Sequence, residues 1–335
     1  GGGGVKPRIE FIDLAKGICI LLVVVYHIDA SLVDFPGLNA LRMPLYFILS
    51  GLFFKNYGGF LRFFEKKTNK ILIPFLVFFS IDYIRLAFHR GDLYLKFWLS
   101  PINAPFAMEN SPIWFLAALF MCNIMFYLCF KISRNSIILG LIMLMTGFIG
   151  YQLTTNNIYL PFYTTQAING LPFFYVGWLI KKTPLLYPNK YDKFNLLLAS
   201  TLIGCSILIC SILGITPRID FRLNEYTEYA WLVHPISIAM VIGTLLFCKY
   251  LKWLPIISYF GRYSIVTLCL HKLLIVYLGY YLIIKYGFKW VEGPVLCFLV
   301  IMICWLAIPF LTRIAPIAFA QKDLVKFPTR LYNKN

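Results

Sequence analysis

The chain has 335 residues, of which 60% are hydrophobic and only 13% are charged, whereas soluble domains carry about 25% charged residues. This composition excludes an ordinary soluble domain and predicts a protein whose apolar surface faces lipid. The net charge of +17 does not indicate nucleic-acid binding, because the basic residues fall between hydrophobic stretches instead of forming one soluble patch.

The hydrophobic stretches predict transmembrane helices, each of which needs roughly 20 apolar residues to cross a bilayer. We therefore predict an all-α, polytopic transmembrane helical bundle of about ten helices. The second and sixth stretches are short, and we expect them to be broken or buried within the bundle. The predicted spans are residues 11–30, 40–54, 69–87, 113–130, 136–153, 165–180, 193–213, 228–248, 264–284 and 293–316.

Basic residues predict the orientation of these spans. With a cytoplasmic N-terminus, 21 of the 31 Lys and Arg residues fall on the cytoplasmic side, 8 fall on the opposite side and 2 lie within spans. This asymmetry agrees with the positive-inside rule and predicts that both termini are cytoplasmic. The basic side would face anionic headgroups, so we expect membrane lipids as partners.

The chain is expected to contain one domain. Residues 5–320 are predicted to form a single transmembrane domain, followed by a cytoplasmic tail at residues 321–335. Residues 1–4 are all Gly and are interpreted as a tag remnant. The first apolar stretch is interpreted as a signal anchor, because Asp13 and Lys16 lie near its start and a small-residue cleavage site is lacking.

Ionisable side chains inside a span are costly and are candidates for function. The first span holds Asp13, Lys16, His27 and Asp29. Lys16 and His27 are eleven residues apart, close to three helical turns, so both project from one face and are roughly 16 Å apart along the axis. Asp29 points elsewhere and is expected to have a solvated, structural role.

The spacing of Lys16 and His27 suits a long, phosphate-headed acyl donor lying along the helix. Lys16 would meet the phosphate, and the neutral imidazole of His27 would take a proton from a hydroxyl near the thioester. The alternative is structural: Lys16 snorkels to the headgroups and pairs with Asp13, while His27 only hydrogen-bonds a backbone carbonyl.

The ninth span carries His271 and Lys272 within an apolar run, and Ser264 lies about two turns before His271 on the same face. These residues are candidates for the same site, and interhelical hydrogen bonding is the alternative. His234 and His89 are expected to be structural.

A basic run follows the second span, in what we predict to be a cytoplasmic loop. Lys66, Lys67 and Lys70 recur there at helical spacing before Pro74 and are candidates for a phosphate site. Positive-inside topology alone is the alternative explanation. The four His residues are too scattered in sequence to predict a metal site, so none is expected.

Several landmarks occur in a specific order along the chain. They are Lys16 and His27, Phe47-Ile-Leu-Ser50-Gly51, the basic run ending at Pro74, Trp114-Phe-Leu116, Pro172 to Gly177, and Gly261-Arg-Tyr-Ser264 leading to His271. In these landmarks nearly the whole chain resembles the integral-membrane acyltransferase family 3, and within it the fucose 4-O-acetylase-like branch. Many members carry an acidic residue soon after the Trp of the fourth span, where this chain has Ala117, Ala118 and Leu119.

The resemblance implies O-acyl transfer, usually of acetyl from acetyl-CoA, to a carbohydrate hydroxyl in or across the membrane. His27 would act as general base or would itself carry the acyl group, and both routes stay open. The expected acceptor is a bacterial envelope polysaccharide or its lipid-linked precursor, which predicts a bacterial inner-membrane location. The expected catalytic residues are His27 and His271; the donor-binding residues are Lys16, Lys66, Lys67, Lys70 and Arg262; and the supporting residues are Asp13, Ser50, Trp114 and Ser264.

Two other functions remain as alternatives. In a secondary transporter or flippase, Asp13, Lys16, His27, His271 and Lys272 would form an ion or proton pathway. A non-catalytic scaffold for envelope assembly would leave the alignment of Lys16 with His27 unexplained. Binding of CoA would discriminate the enzyme from both alternatives, and the sequence leaves the oligomeric state open.

Overall fold

The computed structural model describes residues 9–91, 111–186, 192–220, 225–226, 229–328 and 331. The predicted tag remnant at residues 1–4 and the last residues of the predicted tail lie outside these ranges. The α-helices are α1 Glu10–Ile28, α2 Arg42–Leu52, α3 Phe60–Lys67, α4 Ile73–Arg90, α5 Trp114–Ile132, α6 Ser136–Thr155, α7 Thr164–Ile180, α8 Asp192–Leu213, α9 Ala230–Leu251, α10 Pro255–Arg262, α11 Ser264–Leu278 and α12 Pro294–Ile314.

Two π-helical segments extend these helices: Thr68–Leu72 joins α3 to α4, and Gly279–Lys285 continues α11. Two-residue strands, β1 Ile219–Asp220 and β2 Glu225–Tyr226, pair antiparallel with Ile219 opposite Tyr226. Short 3-10 turns occur at Ala30–Val33, Leu38–Ala40, Ser111–Ile113, Pro161–Tyr163, Pro184–Leu186 and Lys289–Val291. The predicted all-α class is confirmed.

Eight helical stretches among the described residues are long and apolar enough to cross a membrane. One of them, Phe60–His89, contains α3, the π-helical segment and most of α4; another, Ser264–Lys285, contains α11 and its π-helical extension. The others coincide with α1, α5, α6, α8, α9 and α12. The prediction of a polytopic helical bundle is confirmed, and the two short predicted spans correspond to α2 and α7.

The basic run that we predicted to be a loop is helical. α3 and the π-helical segment contain it, because Phe60, Phe63 and Phe64 recur at helical spacing. Phe63 is fully buried and stacks on Tyr127 of α5, with ring centroids 4.6 Å apart. The prediction also lacked α10, whose eight residues are too few to give a transmembrane signal.

α1 is one of the most buried spans of the bundle. Of its spanning window 56% is buried, against 17% for the span in α8. Its crossing with α10 is close because Gly17 faces the carbonyl of Ile257 and Gly261 faces the carbonyl of Asp13, where a Cβ atom has no room. This crossing holds the segment that leads to His271 against the helix that carries His27.

The short helices α2 and α7 run side by side in the same direction. Phe47 contacts Gly170, Gly51 faces the Phe174 carbonyl one turn later, and the Phe54 carbonyl accepts a hydrogen bond of 2.7 Å from Lys181 Nζ just after both helices end. α2 runs antiparallel to α1, since Arg42 lies over Tyr26 and Phe53 lies beside Lys16. Both short helices bury most of their side chains, which confirms the expectation that they lie within the bundle.

The segment after α12 folds back onto the π-helical turn at residues 68–72. Asn69, only 2% exposed, donates hydrogen bonds to the carbonyls of Glu65 (3.1 Å) and Val325 (2.8 Å). Its Oδ1 accepts from the backbone N–H groups of Leu324 (2.9 Å) and Val325 (2.8 Å). The described part of the predicted tail is therefore fixed beside Lys67 and Lys70.

Candidate active site

The two predicted catalytic histidines meet at the C-terminal end of α1. The Nδ1 atom of His27 lies 3.3 Å from the Nε2 atom of His271, and the ring centroids are 5.1 Å apart. His271 is fully buried in α11, while His27 is partly exposed. The pair therefore combines a buried imidazole with one that a ligand can reach.

Backbone carbonyls fix the protonation pattern of the pair. His27 Nδ1 lies 2.8 Å from the Val23 carbonyl, and His271 Nδ1 lies 2.7 Å from the Thr267 carbonyl. A carbonyl only accepts hydrogen bonds, so each neutral ring carries its proton on Nδ1. The one Nδ1 proton of His27 is then shared between the Val23 carbonyl at 2.8 Å and His271 Nε2 at 3.3 Å, and His27 keeps the lone pair of its Nε2. No hydrogen bond to that atom occurs within the described residues.

Charged and aromatic groups surround the imidazole pair. Lys272 is close enough to both rings for charge interaction. The Tyr26 ring contacts His27 edge to face, with centroids 5.5 Å apart. The guanidinium carbon of Arg42 lies 3.7 Å from the centroid of the same Tyr26 ring, so a buried cation lies one aromatic ring away from His27.

Tyr46 of α2 connects two other predicted residues. Its hydroxyl donates to the Lys16 carbonyl at 3.2 Å and lies near the Ser264 side chain. Tyr46 therefore connects α2 to α1 close to the start of α11, where Ser264 lies; the supporting role of Ser264 stays a prediction.

A cluster of lysines lies near the C-terminal end of α2, opposite to Arg42, and includes Lys16 of the neighbouring helix α1. Lys16 Nζ is 5.8 Å from the Phe53 ring, and Lys67 Nζ is 5.8 Å from the Phe63 ring. Lys67 interacts electrostatically with Lys16, Lys55 and Lys70. Lys181 reaches the carbonyl of Phe54, next to Phe53. We call Lys16, Lys67, Lys70 and Lys181 the lysine cluster.

The remaining predicted site residues lie in different settings. Asp13 is buried and Ser50 is half-buried, on the central helices α1 and α2. Trp114 packs beside Phe115 and Tyr163, which indicates a packing role. Lys66 is half-buried in α3, and Arg262 is exposed at the end of α10, with its guanidinium 5.4 Å from the Tyr263 ring.

Asp29 and His234, which we expected to be structural, make local contacts, and their roles stay predictions. Asp29 accepts hydrogen bonds from the backbone N–H and the hydroxyl of Ser31, at 3.0 and 2.6 Å, and caps the following turn. The His234 ring stacks on Phe173, with centroids 5.1 Å apart. His89 is exposed near the end of α4 and lines an open groove of about 670 Å³ between α4 and α11.

Sequence reasoning missed two further cationic groups. Arg42 and Lys181 entered only the count of basic residues on each side of the membrane. The sequence offered a signal for each: Arg42 lies near the start of the short second span, directly before Met43 and Pro44, and Lys181 directly follows the sixth span. The described residues contain no group of three His, Cys, Asp or Glu side chains that could hold a metal ion.

Comparison with known families decides the class of protein. The sequence profile of the acyltransferase 3 family, described as an acyltransferase domain, matches residues 9–309. The chain belongs to the acyltransferase 3 family. The match covers α1 to most of α12 and contains both histidines and the lysine cluster, so it confirms the family resemblance inferred from the ordered landmarks.

This integral-membrane acyltransferase gave no match among the curated proteins or the solved structures. Family membership favours the enzyme over the transporter and the scaffold. An acyltransferase needs a base that deprotonates the attacking hydroxyl and a binding site that positions the acyl carrier. The histidine pair and the lysine cluster lie at the two ends of α2, as separate groups suited to these two tasks.

Proposed function

We propose that this acyltransferase transfers an acetyl group from acetyl-CoA to a hydroxyl of a carbohydrate, with His27 as general base. The observation that carries the proposal is the His27–His271 contact of 3.3 Å. The Val23 carbonyl accepts from Nδ1 of His27 at 2.8 Å, and His271 lies on the same edge of the ring, so the lone pair of Nε2 is left for the acceptor hydroxyl. General bases of this kind typically accelerate a reaction on the order of 10²–10⁴-fold.

The lysine cluster is the proposed site of the donor's phosphates. CoA is a phosphate-rich carrier with a long, flexible arm that ends in the thioester. Lys16 and His27 are separated by roughly 16 Å along α1, at 1.5 Å per residue. Phosphates held by Lys16, Lys67 and Lys181 would let the arm lie along α1 and α2 and present the thioester to His27. Lys66, Lys70 and Arg262 would add to the positive potential around this end.

The proposed reaction is a direct transfer. His27 Nε2 removes the proton of the acceptor hydroxyl while the oxygen attacks the thioester carbonyl carbon. The carbon–sulfur bond breaks, and the CoA sulfur takes the proton from the His27 imidazolium. The products are an acetyl ester and CoA, and His27 returns to its neutral form. His271 acts as a positioning residue that accepts the Nδ1 hydrogen bond of His27.

We place the acyltransferase in a bacterial inner membrane, with the lysine cluster and both termini on the cytoplasmic side. Lysines concentrate at that end of the bundle, in agreement with the positive-inside rule, and acetyl-CoA is available there. The acceptor then approaches the His27 end. A polysaccharide of the cell envelope or its lipid-linked precursor is the acceptor class that such an arrangement suits.

The test is acetyl transfer by purified protein. Parent, His27→Ala and the control His89→Ala are incubated at equal folded concentration with radiolabelled acetyl-CoA and a mixture of envelope glycans. We expect alkali-labile label in glycan with the parent and with His89→Ala, and none with His27→Ala. Equal transfer by all three proteins would remove His27 from the chemistry. Absence of both transfer and CoA binding in the parent would refute the proposed function.

A further inference from the structure

Arg42, the first residue of α2, holds a buried cation close to the histidine pair. The residue is only 7% exposed. Its Nη2 donates to the Asn39 side-chain oxygen at 2.8 Å, and its guanidinium stacks on the Tyr26 ring at 3.7 Å. Its Nη1 is buried and has no hydrogen-bond partner among the described residues. An unpaired charged donor in such a position is costly.

No carboxylate in the described residues forms an ion pair with this cation. The Asp34 carboxylate accepts from Asn39 Nδ2 at 3.3 Å, so it touches Arg42 only through the Asn39 amide. Arg218, on the segment between α8 and β1, is close enough to interact electrostatically with Arg42, and its charge has the same sign. The buried Arg42 guanidinium therefore gives this end of the bundle a positive charge that an anionic ligand would neutralise.

The position of Arg42 relates this potential to the reaction. The Tyr26 ring contacts both groups: the guanidinium carbon of Arg42 lies 3.7 Å from its centroid, and the centroid of the His27 ring lies 5.5 Å from it. A ligand that reaches both groups carries an anionic group close to its reacting hydroxyl. Arginine is suited to the anionic group, because its planar N–H donors match carboxylate and phosphate oxygens.

We propose that Arg42 binds the anionic group of the acceptor, so that the enzyme acts on an acidic carbohydrate with a carboxylate or phosphate beside the acetylated hydroxyl. This inference rests on the proposed function and names its substrate class. A carboxylate belongs to a uronic acid, whereas a phosphate belongs to a phosphorylated sugar or a lipid-linked precursor. The guanidinium chemistry is common to both sources, and separate acceptors distinguish them.

The experiment compares matched acceptors. Purified protein is given acetyl-CoA and one of three oligosaccharides: one that contains glucuronic acid, its carboxyl-reduced counterpart that contains glucose, and a phosphorylated form of the glucose counterpart. For the parent we expect kcat/KM to be at least about tenfold higher on one of the two acidic acceptors than on the neutral one, the scale of one charge-assisted contact. The preferred acceptor identifies the source of the anion.

Substitutions of Arg42 test whether this residue causes the preference for an acidic acceptor. Arg42→Gln should bring the ratio of acidic to neutral kcat/KM close to one, and Arg42→Lys should retain part of it. Arg134→Gln is the control, because Arg134 is exposed on the segment between α5 and α6 and its guanidinium lies over Phe130; it should leave the ratio unchanged. CoA binding and thermal unfolding verify that each variant is folded.

Three results would overturn the inference while leaving the proposed function intact. These are a parent that does not discriminate between acidic and neutral acceptors, an Arg42→Gln variant that keeps the parental ratio, and an Arg42→Gln variant that loses transfer to all acceptors equally. Should Arg42→Gln fail to fold, the parent and Arg42→Lys ratios decide. No transfer to any acceptor by a parent that fails to bind CoA would reject the proposed function and this inference with it.

Discussion

Nε2 of His271 lies 3.3 Å from Nδ1 of His27, although 244 positions separate the two residues in the chain. The Thr267 carbonyl holds the proton of His271 on Nδ1, so His271 can only accept at Nε2 while it is neutral. A fully buried imidazole thus orients a partly exposed one. This arrangement uses the same logic as triads in which a third group orients the base.

Replacing His271 should slow catalysis without weakening substrate binding. We expect His271→Leu to lower kcat roughly 10²-fold, within the range of general-base effects, because His27 loses one of the two acceptors that orient its ring and keeps only the Val23 carbonyl. His271→Gln should recover part of the rate, since its side-chain oxygen can accept from His27 Nδ1. Initial rates at varied acetyl-CoA and acceptor concentrations test this expectation. A rise in KM with unchanged kcat would contradict a positioning role.

Removing one cation of the lysine cluster should weaken donor binding. We expect Lys67→Met to raise KM for acetyl-CoA about tenfold, the scale of one charge-assisted contact, with little change in kcat. Acetyl-dephospho-CoA, which lacks the 3′-phosphate, tests whether Lys67 binds that phosphate. If it does, Lys67→Met should have the same KM for acetyl-CoA and for acetyl-dephospho-CoA. Lys131→Met is the matched control, because Lys131 is exposed and its Nζ lies 5.9 Å from the Tyr127 ring. Equal KM shifts in both variants would point to general surface potential instead.

The crossing of α1 and α10 should be sensitive to a single methyl group. Gly261→Ala places a Cβ atom against the Asp13 carbonyl, and overpacking of this kind costs ~1–3 kcal/mol. We expect a lower unfolding temperature and a reduced yield of folded protein. Gly204→Ala is the control, since nothing lies within 4 Å of a Cβ atom at that position. Equal thermal stability of the two variants in the same detergent would refute the close crossing.

Asn69 should control the order of the segment after α12. In Asn69→Ala the backbone N–H groups of Leu324 and Val325 lose their acceptor. We expect amide hydrogen exchange at residues 321–328 to accelerate while exchange in α12 stays as in the parent. Asn135→Ala serves as the control, because Asn135 caps α6 through Ile137 and Ile138. Unchanged exchange at residues 321–328 in Asn69→Ala would show that other contacts hold the segment.

The sequence predicted the helical bundle because transmembrane helices are long, apolar and locally encoded. It also identified His27 and His271, because titratable groups inside an apolar run are conspicuous. Their contact could not be predicted, since it depends on how α11 packs against α1. Nothing in the local pattern of residues 264–278 specifies that partner.

Other features escaped prediction for a related reason. Arg42 is the first residue of a helix of 11 residues, and a charge at the end of a span is usually explained by the headgroup region. Its burial against Tyr26 indicates a ligand-binding role instead, and burial depends on the tertiary structure, which the local sequence does not specify. The basic run was predicted to be a loop although its lysines recur at helical spacing, because the eight residues of α3 are too few to give a transmembrane signal of their own.

The separation of the lysine cluster from His27 has an electrical consequence. Under the proposed function, the phosphates of the donor stay at one end of α1, and only the uncharged arm with its acetyl group extends toward the other. Moving one full charge across the membrane would change the free energy of the step by about 2.3 kcal/mol per 100 mV of membrane potential. Because no net charge would make that passage, we expect acetylation to proceed at the same rate in energised and depolarised vesicles.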